Sequence, residues 1–296
     1  MNVGTETLRL VRSVAGMEEV REELRRSGVK VGLVPTMGFL HEGHASLLRR
    51  ARSESDFVVL SIFVNPKQFD RGSDLERYPR DEERDLAVAR AEGTDLVFLP
   101  ESEDLYPEGF ATSVEVSGLT DVLCGSEASR GAGHFRGVTT VVSLLLNLVD
   151  PEVAYFGQKD AQQAAVVARM ASDLGFRSRI SVVPTVRDAD GLALSSRNSR
   201  LTGEGRLRAR VVPASLERAR EVALDEGIPA GLEAGLAVLR ESGLEPEYFE
   251  ARNIEDLGEV TQADEGNWMF AVAVEVDGVR LIDNLPVDAG GEEAAA

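Results

Sequence analysis

Short apolar runs alternate with longer amphipathic stretches through the first two thirds of the chain. The runs have the length and composition of buried strands, and they are KVGLVP (30–35), FVVLSIFVN (57–65), DLVFLP (95–100), VAYFG (153–157) and RISVVP (179–184). Helical periodicity or uniform apolar character marks the stretches near 44–54, 81–92, 137–149 and 160–174. Strands that alternate with helices predict βαβ units, so we expect an α/β fold in which residues 1–184 form a Rossmann-like doubly wound parallel sheet.

The pattern changes after Pro184. The segment RDADGLALSSRNSRL is rich in turn-forming residues, and helical stretches follow near 203–225 and 229–242. The runs PEYFEAR, NWMFAVAVEV and VRLIDNL then alternate as expected for a half-exposed antiparallel sheet. These features predict a smaller C-terminal α+β lid domain over residues 185–296, with the SSRN loop near its start and a disordered tail over about 288–296.

Composition restricts the partners and the location of the chain. Acidic residues outnumber basic ones by 51 to 32 among 296 residues, and the net charge of −19 disfavours broad contact with nucleic acid or an anionic membrane. The one cysteine, Cys124, excludes an intrachain disulfide and a multi-cysteine metal site. The start of the chain lacks the apolar core of a secretory signal, and the apolar stretch 138–149 is too short to span a bilayer. We therefore expect a cytoplasmic protein in which a local basic site holds any polyanionic ligand.

Polar segments directly follow three of the predicted strands. They are TMGFLHEGH, NPKQF and GQKD. In a doubly wound sheet, ligands bind beyond the carboxyl ends of the strands. We therefore expect the three polar segments to converge on one cleft.

The segment HEGH holds two of the chain's three histidines, His41 and His44. It lies between a predicted strand and a predicted helix, where exposed backbone N–H groups, the helix dipole and the close approach that glycine permits all favour a phosphate. A zinc pair is a weaker interpretation, because HEGH is not the HExxH motif and both His134 and Cys124 lie far along the chain. A pair of surface or capping histidines is the structural alternative.

The segments that follow the second strand candidate also have two interpretations each. Asn65 and Gln68 offer amides for the hydroxyls of a small polar substrate, although an Asn-Pro turn explains the same stretch. A carboxylate of the stretch 81–93 can hold Mg²⁺, although the helix dipole alone explains acidic residues at a helix start. His134 lies near another predicted helix start and is either a cap or a catalyst.

Two later segments carry positive charge and hydroxyl groups. In GQKD, Lys159 is a point charge suited to phosphate and Asp160 is an acceptor suited to ribose hydroxyls. ALSSRN, at 193–198, offers two serine hydroxyls and Arg197 on a loop of the kind that closes over a triphosphate. An ordinary polar linker is the alternative for this second segment.

These segments occur in an order that is similar to a known family. From PTMGFLHEGH through SIFVNPKQF, YPRD, GHFRGV and FGQKDAQQ to DGLALSSRN, the chain closely resembles the pantoate–β-alanine ligases of the HxGH nucleotidyltransferase superfamily. The resemblance implies an AMP-forming carbon–nitrogen ligase, in which ATP and pantoate form pantoyl adenylate and pyrophosphate. β-Alanine then displaces AMP to give pantothenate. The resemblance also implies a requirement for Mg²⁺ and a homodimer.

The resemblance assigns roles to individual residues, all as expectations. The implied catalytic residues are His41, His44, Lys159 and Arg197. The implied ATP contacts are Pro35, Met37, His41, His44, Gly157, Lys159, Asp160, Val186, Leu194, Ser195, Ser196 and Arg197. The implied acceptor contacts are Gln68, Gln163 and Met37 for pantoate, and Asn65 and Arg197 for β-alanine. Asp85 is the implied metal-linked carboxylate.

The chain also departs from the usual family pattern. The family generally shows Arg-Pro-Gly-His, whereas here Arg130 lies four residues before His134, in RGAGH. Ala161 stands where an aromatic is common and Leu194 where methionine is usual. Two alternatives stay open: a nucleotidylyltransferase of the same superfamily with another acceptor, and a nucleotide-binding sensor without catalysis. The proton of the β-alanine ammonium goes either to solvent or to His41.

Overall fold

The computed structural model describes residues 8–69, 75–126, 129, 132–262 and 267–287. They form two compact units, each described here within those ranges. The first unit comprises Met1–Ser117, Ala132–Gly157 and Val166–Val183, and the second comprises Gly118–Gly131, Gln158–Ala165 and Pro184–Ala296. The sequence predicts a single boundary after residue 184, and the last segment of the second unit begins at Pro184. Two earlier segments belong to the second unit as well, which periodicity along the chain does not indicate.

A parallel sheet forms the centre of the first unit. Its strands are β1 (Arg9–Val11), β2 (Val31–Thr36), β3 (Phe57–Ile62), β4 (Leu96–Phe98), β5 (Val153–Gly157) and β6 (Arg179–Val183). Their order is β1-β4-β3-β2-β5-β6, and every pairing is parallel. The chain builds outward from β2 in one direction and then from β5 in the other, so the predicted doubly wound sheet is confirmed and its switch point lies between β2 and β5.

Helices flank this sheet. They are α1 (Val14–Ser27), α2 (Glu42–Glu54), α3 (Glu82–Ala91), α4 (Ser102–Leu105), α5 (Ala132–Val149) and α6 (Ala161–Asp173), the last of which contributes residues to both units. The four predicted helices are confirmed as α2, α3, α5 and α6, whereas α1 and the short strand β1 were not predicted. Leu48 and Ala51 of α2 are fully buried and pack with Val34 and Leu60 of the sheet. Burial on both faces explains why β2 and β3 are apolar without alternation.

The second unit contains an antiparallel sheet and three helices. The strands are β7 (Pro246–Asn253), β8 (Trp268–Val276) and β9 (Val279–Val287), in the order β7-β8-β9, and the helices are α7 (Gly203–Ala209), α8 (Val211–Glu226) and α9 (Ile228–Glu241). β8 and β9 are joined by Asp277 and Gly278, with φ angles of 52° and 73°, as a two-residue hairpin turn requires. The predicted strands and the smaller α+β domain are therefore confirmed.

Two sequence predictions for this unit need correction. The sheet is not half-exposed at its centre, because both faces of β8 are covered. Phe270 belongs to one apolar cluster that includes Leu216 of α8, while Met269 and Ala271 pack in another. The helical stretch 203–225 is not one helix but α7 and α8, because Pro213 cannot donate the hydrogen bond that would continue the helix.

Some predictions lie outside these elements. The tail at 288–296 and Arg130 are outside the described residues. Within the described part of the chain, every helix is too short or too polar to cross a bilayer.

Candidate active site

The loop after β2 has an unusual backbone that places two N–H groups side by side. Gly38 and Phe39 are both left-handed, with φ angles of 79° and 53°. The N–H groups of Phe39 and Leu40 donate to the two carboxylate oxygens of Asp85, at 2.8 and 2.7 Å. Successive N–H groups in such a turn form an anion-binding nest, and here the anion is a side chain of α3. The carboxylate therefore fixes the loop that immediately precedes His41.

Asp85 does not fit the metal-linked role that the resemblance implies. Asp85 is only 2% exposed, and each of its carboxylate oxygens already accepts a hydrogen bond from a backbone N–H. Burial raises the pKa of this carboxyl, and the two N–H donors partly oppose that shift. Among the described residues, no group of three or more His, Cys, Asp or Glu side chains is arranged to hold a metal ion. The metal role of Asp85 stays a prediction that this geometry does not support.

His41 and His44 form a reciprocal cap at the start of α2. The Nδ1 atom of His41 accepts from the N–H of Gly43 at 3.1 Å, and the Nδ1 atom of His44 accepts from the N–H of His41 at 3.2 Å. The two ring centroids are 4.1 Å apart. A Cβ atom at Gly43 would lie 2.9 Å from the His41 ring, so glycine is needed between the histidines. The capping interpretation of HEGH therefore describes what these side chains do in the fold.

Capping also prepares the two imidazoles for an anionic ligand. Because Nδ1 of each ring accepts a hydrogen bond, the proton of the neutral imidazole is carried by Nε2. Both rings are half-buried at a helix N-terminus, where the backbone dipole favours negative charge. The structural and the phosphate-binding interpretations of HEGH are thus compatible, since the cap fixes the tautomer that donates.

A network around Asn65 supports the segment after β3. Asn65 is 1% exposed, and its Nδ2 donates to Gln68 Oε1 at 3.1 Å and to the Gly137 carbonyl at 3.0 Å. Its Oδ1 accepts from Lys67 N at 3.2 Å and from the Tyr106 hydroxyl at 2.9 Å. These four bonds use both donors and both acceptor positions of the amide. Asn65 is therefore a structural hub, and its implied contact with β-alanine stays a prediction.

Gln68 and Met37 come together in this network. Gln68 Nε2 donates to the Met37 sulfur at 2.9 Å, so two of the three implied pantoate contacts are adjacent in the first unit. His134 Nδ1 lies 2.8 Å from the Gln68 carbonyl and donates to it, because a carbonyl can only accept. His134 thus holds the turn that carries Gln68 from the start of α5, and a catalytic role for it stays a prediction. A Cβ atom at Gly137 would collide with the Lys67 carbonyl, which explains the glycine in GHFRGV.

Tyr106 is a member of this network that sequence reasoning missed. Burial raises the pKa of its phenol, so the hydroxyl keeps the proton that it donates to Asn65. The Lys67 ammonium lies 4.8 Å from the centroid of the Tyr106 ring. The only signal in the sequence is an aromatic residue within a polar turn, EDLYPEGF, which does not indicate a partner 41 positions away.

In the second unit, the GQKD and SSRN segments line one pocket. Its lining includes Lys159, Ser195, Arg197 and Asn198. Asn198 is 8% exposed, its Nδ2 donates to the Ala193 carbonyl at 2.9 Å, and its buried Oδ1 has no hydrogen-bond partner within the described residues. Ser195 Oγ caps the 3₁₀ turn Ser196–Arg200 by accepting from Arg197 N at 3.3 Å. Three residues with implied phosphate roles therefore meet at one place.

The remaining implied residues of the second unit surround these segments. The N–H of Leu194 donates to the Val186 carbonyl at 3.0 Å, which pairs two of the implied ATP contacts. Asp160 lies 3.7 Å from the Lys159 ammonium. The side chain of Gln163 is half-buried and makes no hydrogen bond to a described residue. Gln162 is 6% exposed, and its side chain makes three hydrogen bonds that hold residues 119–124. Of the two glutamines, Gln163 is the one whose amide can serve a ligand.

Pro35 and Gly157 are the last two of the predicted ATP contacts. Pro35 lies within β2 and Gly157 ends β5, the two strands on either side of the switch point. The first unit thus has a parallel sheet with a capped helix N-terminus and two imidazoles next to its switch point. This arrangement defines an α/β protein of the class that binds anionic ligands at the carboxyl ends of its strands.

Comparisons with known proteins identify the family. A model of the family described as "Pantoate-beta-alanine ligase" matches residues 9–286. The chain is 48% identical to a pantothenate synthetase of Moorella thermoacetica over 289 residues, which are 95% of this chain and 99% of the relative. It is 46% identical to a pantothenate synthetase of Geobacter sulfurreducens, over 97% of this chain and all of the relative.

Solved structures agree with this result. A pantothenate synthetase from Thermus thermophilus superposes with a TM-score of 0.87 at 46% identity, over 94% of this chain and 99% of that one. A pantoate–β-alanine ligase from Francisella tularensis, complexed with β,γ ATP and β-alanine, superposes with a TM-score of 0.77 at 31% identity, over 94% and 97% of the two chains. The chain therefore belongs to the pantoate–β-alanine ligase family. It is an enzyme that joins pantoate to β-alanine, as the resemblance of its segments implied.

Proposed function

We propose that the chain catalyses ligation in two steps at the residues described above. In the first, a carboxylate oxygen of pantoate attacks the α-phosphorus of ATP, pyrophosphate leaves, and pantoyl adenylate forms. In the second, the amine of β-alanine attacks the acyl carbon, AMP leaves, and the amide of pantothenate remains. The substrate supplies the nucleophile in both steps, so the protein contributes alignment and stabilisation of charge.

The reciprocal cap of His41 and His44 is the observation that carries this proposal. It fixes both neutral imidazoles with N–H on Nε2, as donors suited to phosphate oxygens that gain charge when the α-phosphorus becomes five-coordinate. Donors that are already oriented do not have to reorganise as the charge develops. The left-handed turn held by Asp85 supports the same geometry from the preceding residues.

The pocket of the second unit supports the assignment of the other phosphate ligands. Lys159 and Arg197 supply positive charge in a chain whose net charge is −19, and Ser195 and Ser196 supply hydroxyl donors. The buried Oδ1 of Asn198 accepts a hydrogen bond from the bound nucleotide, because buried acceptors in proteins are nearly always paired. Asp160 and Gly157 take the ribose, and Val186, Leu194 and Pro35 complete the nucleotide contacts.

Amides bind the acceptor substrates in this proposal. Gln68 and Gln163 hold the hydroxyls and the carboxylate of pantoate. Gln68 Nε2 donates to the Met37 sulfur, and the Gln163 side chain makes no hydrogen bond to a described residue. Arg197 holds the β-alanine carboxylate, and Asn65 acts by keeping the turn of Gln68 in place. In neutral His41 the lone pair of Nδ1 faces the Gly43 N–H, so the β-alanine ammonium loses its proton to solvent and not to His41.

Three further elements belong to the proposal. Mg²⁺ would be held by triphosphate oxygens of bound ATP and would neutralise part of their charge. Asp85 would not ligate it, since this carboxylate is buried and already accepts two backbone N–H groups. The homodimer that the family resemblance implies and the cytoplasmic location that the sequence indicates stay predictions.

An AMP-release assay with ATP, pantoate and β-alanine, omitting each substrate in turn, tests the proposed function. The two-step reaction requires all three substrates for sustained AMP release, and ATP with pantoate alone supports exchange of pyrophosphate into ATP. If another carboxylic acid supports AMP release better than pantoate does, the enzyme is a nucleotidylyltransferase with a different acceptor. Nucleotide binding without turnover would identify a sensor.

A further inference from the structure

Asn284 is a buried amide in β9 that the roles above do not use. The residue is 4% exposed. Its Nδ2 donates to the carbonyls of Gln158 and Lys159, at 2.9 and 3.1 Å, and its Oδ1 accepts from Nε2 of Gln158 at 2.9 Å. The amide therefore directs both donors and one acceptor at a single 3₁₀ turn, Gln158–Asp160. The backbone of the turn that carries Lys159 is held by one side chain.

Asp283, the preceding residue, anchors the second segment of the pocket. Its carboxylate receives a bidentate ion pair from Arg187, with N–O distances of 2.6 and 3.1 Å, and it accepts from the N–H of Asn284 at 2.8 Å. Arg187 also donates to the Gly191 carbonyl at 3.2 Å and pairs with Ala193 in an antiparallel bridge. Asp283 thus fixes the loop that leads directly into Ser195.

Consecutive residues of a strand point to opposite faces, which lets these two side chains reach different segments. Two adjacent buried polar residues in a strand are costly unless every group is paired. Asn284 pairs with the turn that carries Lys159, and Asp283 pairs with Arg187, whose loop continues to Leu192 and Ala193 in the pocket lining. The arrangement therefore couples the position of Lys159 to that of the serine loop through one strand.

We propose that Asn284 and Asp283 are positioning residues, which hold Lys159 and the Ser195–Arg197 segment in the arrangement that receives the phosphates of ATP. Asn284 acts through the backbone of the turn that carries Lys159. Asp283, which also lines the pocket, acts through Arg187 on the loop that leads into Ser195. The inference rests on the proposed function, because it takes Lys159, Ser195 and Arg197 as phosphate ligands. Its consequence is selective: loss of either side chain weakens the use of ATP more than the use of pantoate, whose proposed contacts are Gln68, Met37 and Gln163.

The test compares KM values of purified full-length variants. Asn284→Leu keeps the branched skeleton of the side chain but removes its three hydrogen bonds, and we expect it to raise the KM for ATP about tenfold or more. The KM for pantoate should stay within about twofold of the parent, since folded enzyme keeps the amide contacts proposed for pantoate. Asp283→Asn, which removes the charge facing Arg187, should have the same signature and serves if Asn284→Leu does not fold.

Asn253→Ala is the matched control. This asparagine of the same unit caps a turn by accepting from the N–H groups of Glu255 and Asp256, at 2.8 and 3.2 Å. A merely structural role for Asn284 would reduce the folded fraction, seen in thermal melting, and would leave the KM for ATP of the folded enzyme unchanged. Folded Asn284→Leu and Asp283→Asn with an unchanged KM for ATP would overturn the inference, as would an equal rise in Asn253→Ala.

Lys159→Ala separates this inference from the proposed function. A large loss of pyrophosphate exchange in Lys159→Ala, together with normal ATP use in Asn284→Leu, rejects only the positioning role. Normal exchange in Lys159→Ala rejects the phosphate assignment, and the positioning role is then rejected with it.

Discussion

The backbone N–H of His41 donates to the side chain of His44, and the two rings lie 4.1 Å apart. One hydrogen bond thus joins the residue that ends the loop to the first turn of the helix. His41 and His44 are also the proposed phosphate donors. The helix cap and the proposed phosphate binding therefore depend on the same two side chains, within the four residues 41–44. Substitutions can separate the two contributions.

His44→Gln should keep the fold and lose the chemistry. Glutamine at this position can accept the His41 N–H as a capping box does, whereas alanine cannot. We expect His44→Ala to lose roughly 1 kcal/mol of stability and His44→Gln to lose little of it. Both variants should lose on the order of 10²-fold or more in pyrophosphate exchange. Thermal melting and isotope exchange measure the two effects, and near-parental exchange in His44→Gln would show that the imidazole only caps.

Asp85→Asn should disturb the loop without changing the response to Mg²⁺. The amide presents an NH₂ group to one of two backbone N–H donors, so one hydrogen bond is lost and a buried donor is left unpaired. We expect a loss of about 1–3 kcal/mol in the free energy of unfolding and a slower first step. The half-saturating Mg²⁺ concentration, measured at fixed ATP, should not move. A marked rise in that concentration with normal stability would make Asp85 a metal ligand after all.

Gln163 and Gln162 offer an adjacent pair with opposite expected effects. Gln162 holds three backbone groups of residues 119–124, so Gln162→Ala should cost about 1–3 kcal/mol of stability. Gln163→Ala should leave the melting temperature unchanged and raise the KM for pantoate about tenfold. Steady-state kinetics and thermal melting decide the matter, and the assignment of Gln163 fails if its KM for pantoate is normal.

The loop before the SSRN segment should show an acid-sensitive ion pair. A hydrogen bond from Arg206 lowers the pKa of Asp190, so the folded state binds this proton less tightly than the unfolded state does. The pair therefore adds stability above the unfolded-state pKa, and this contribution is lost as the pH falls through the folded-state pKa. Arg206→Gln should return the pKa of Asp190 toward its ordinary value, as measured by carboxyl NMR titration. Arg208→Gln, which removes a partner of Asp277, is the control and should leave Asp190 unchanged.

The central strands and the large helices follow from local pattern. β2, β3 and β5 are apolar because both of their faces are covered, and such runs are visible in the sequence. β1 has only three residues and pairs with a strand far along the chain, so its pattern is too short to detect. Helix α1 did have a signal, because Met17, Val20 and Leu24 are buried at helical spacing.

The site was predictable in its residue types but not in its contacts. The order of HEGH, GQKD and SSRN indicated a nucleotide and the ligase family, and both were inferred from the sequence. The N–H groups of Phe39 and Leu40 reach Asp85 only because the backbone is left-handed at Gly38 and Phe39. No residue pattern specifies this, since phenylalanine rarely adopts a φ of 53°. Asp283 acts across 96 positions and Asn284 across 126, so the sequence pattern around them does not indicate their partners.

Transfer of oxygen from pantoate to AMP tests the two-step reaction most directly. The enzyme is incubated with ATP, β-alanine and pantoate labelled with ¹⁸O in its carboxylate, and the AMP released is analysed by mass spectrometry. If pantoyl adenylate forms, one labelled oxygen appears in the phosphate of AMP, and none appears in pyrophosphate. Unlabelled AMP from a reaction that yields pantothenate would contradict the attack of the pantoate carboxylate on the α-phosphorus.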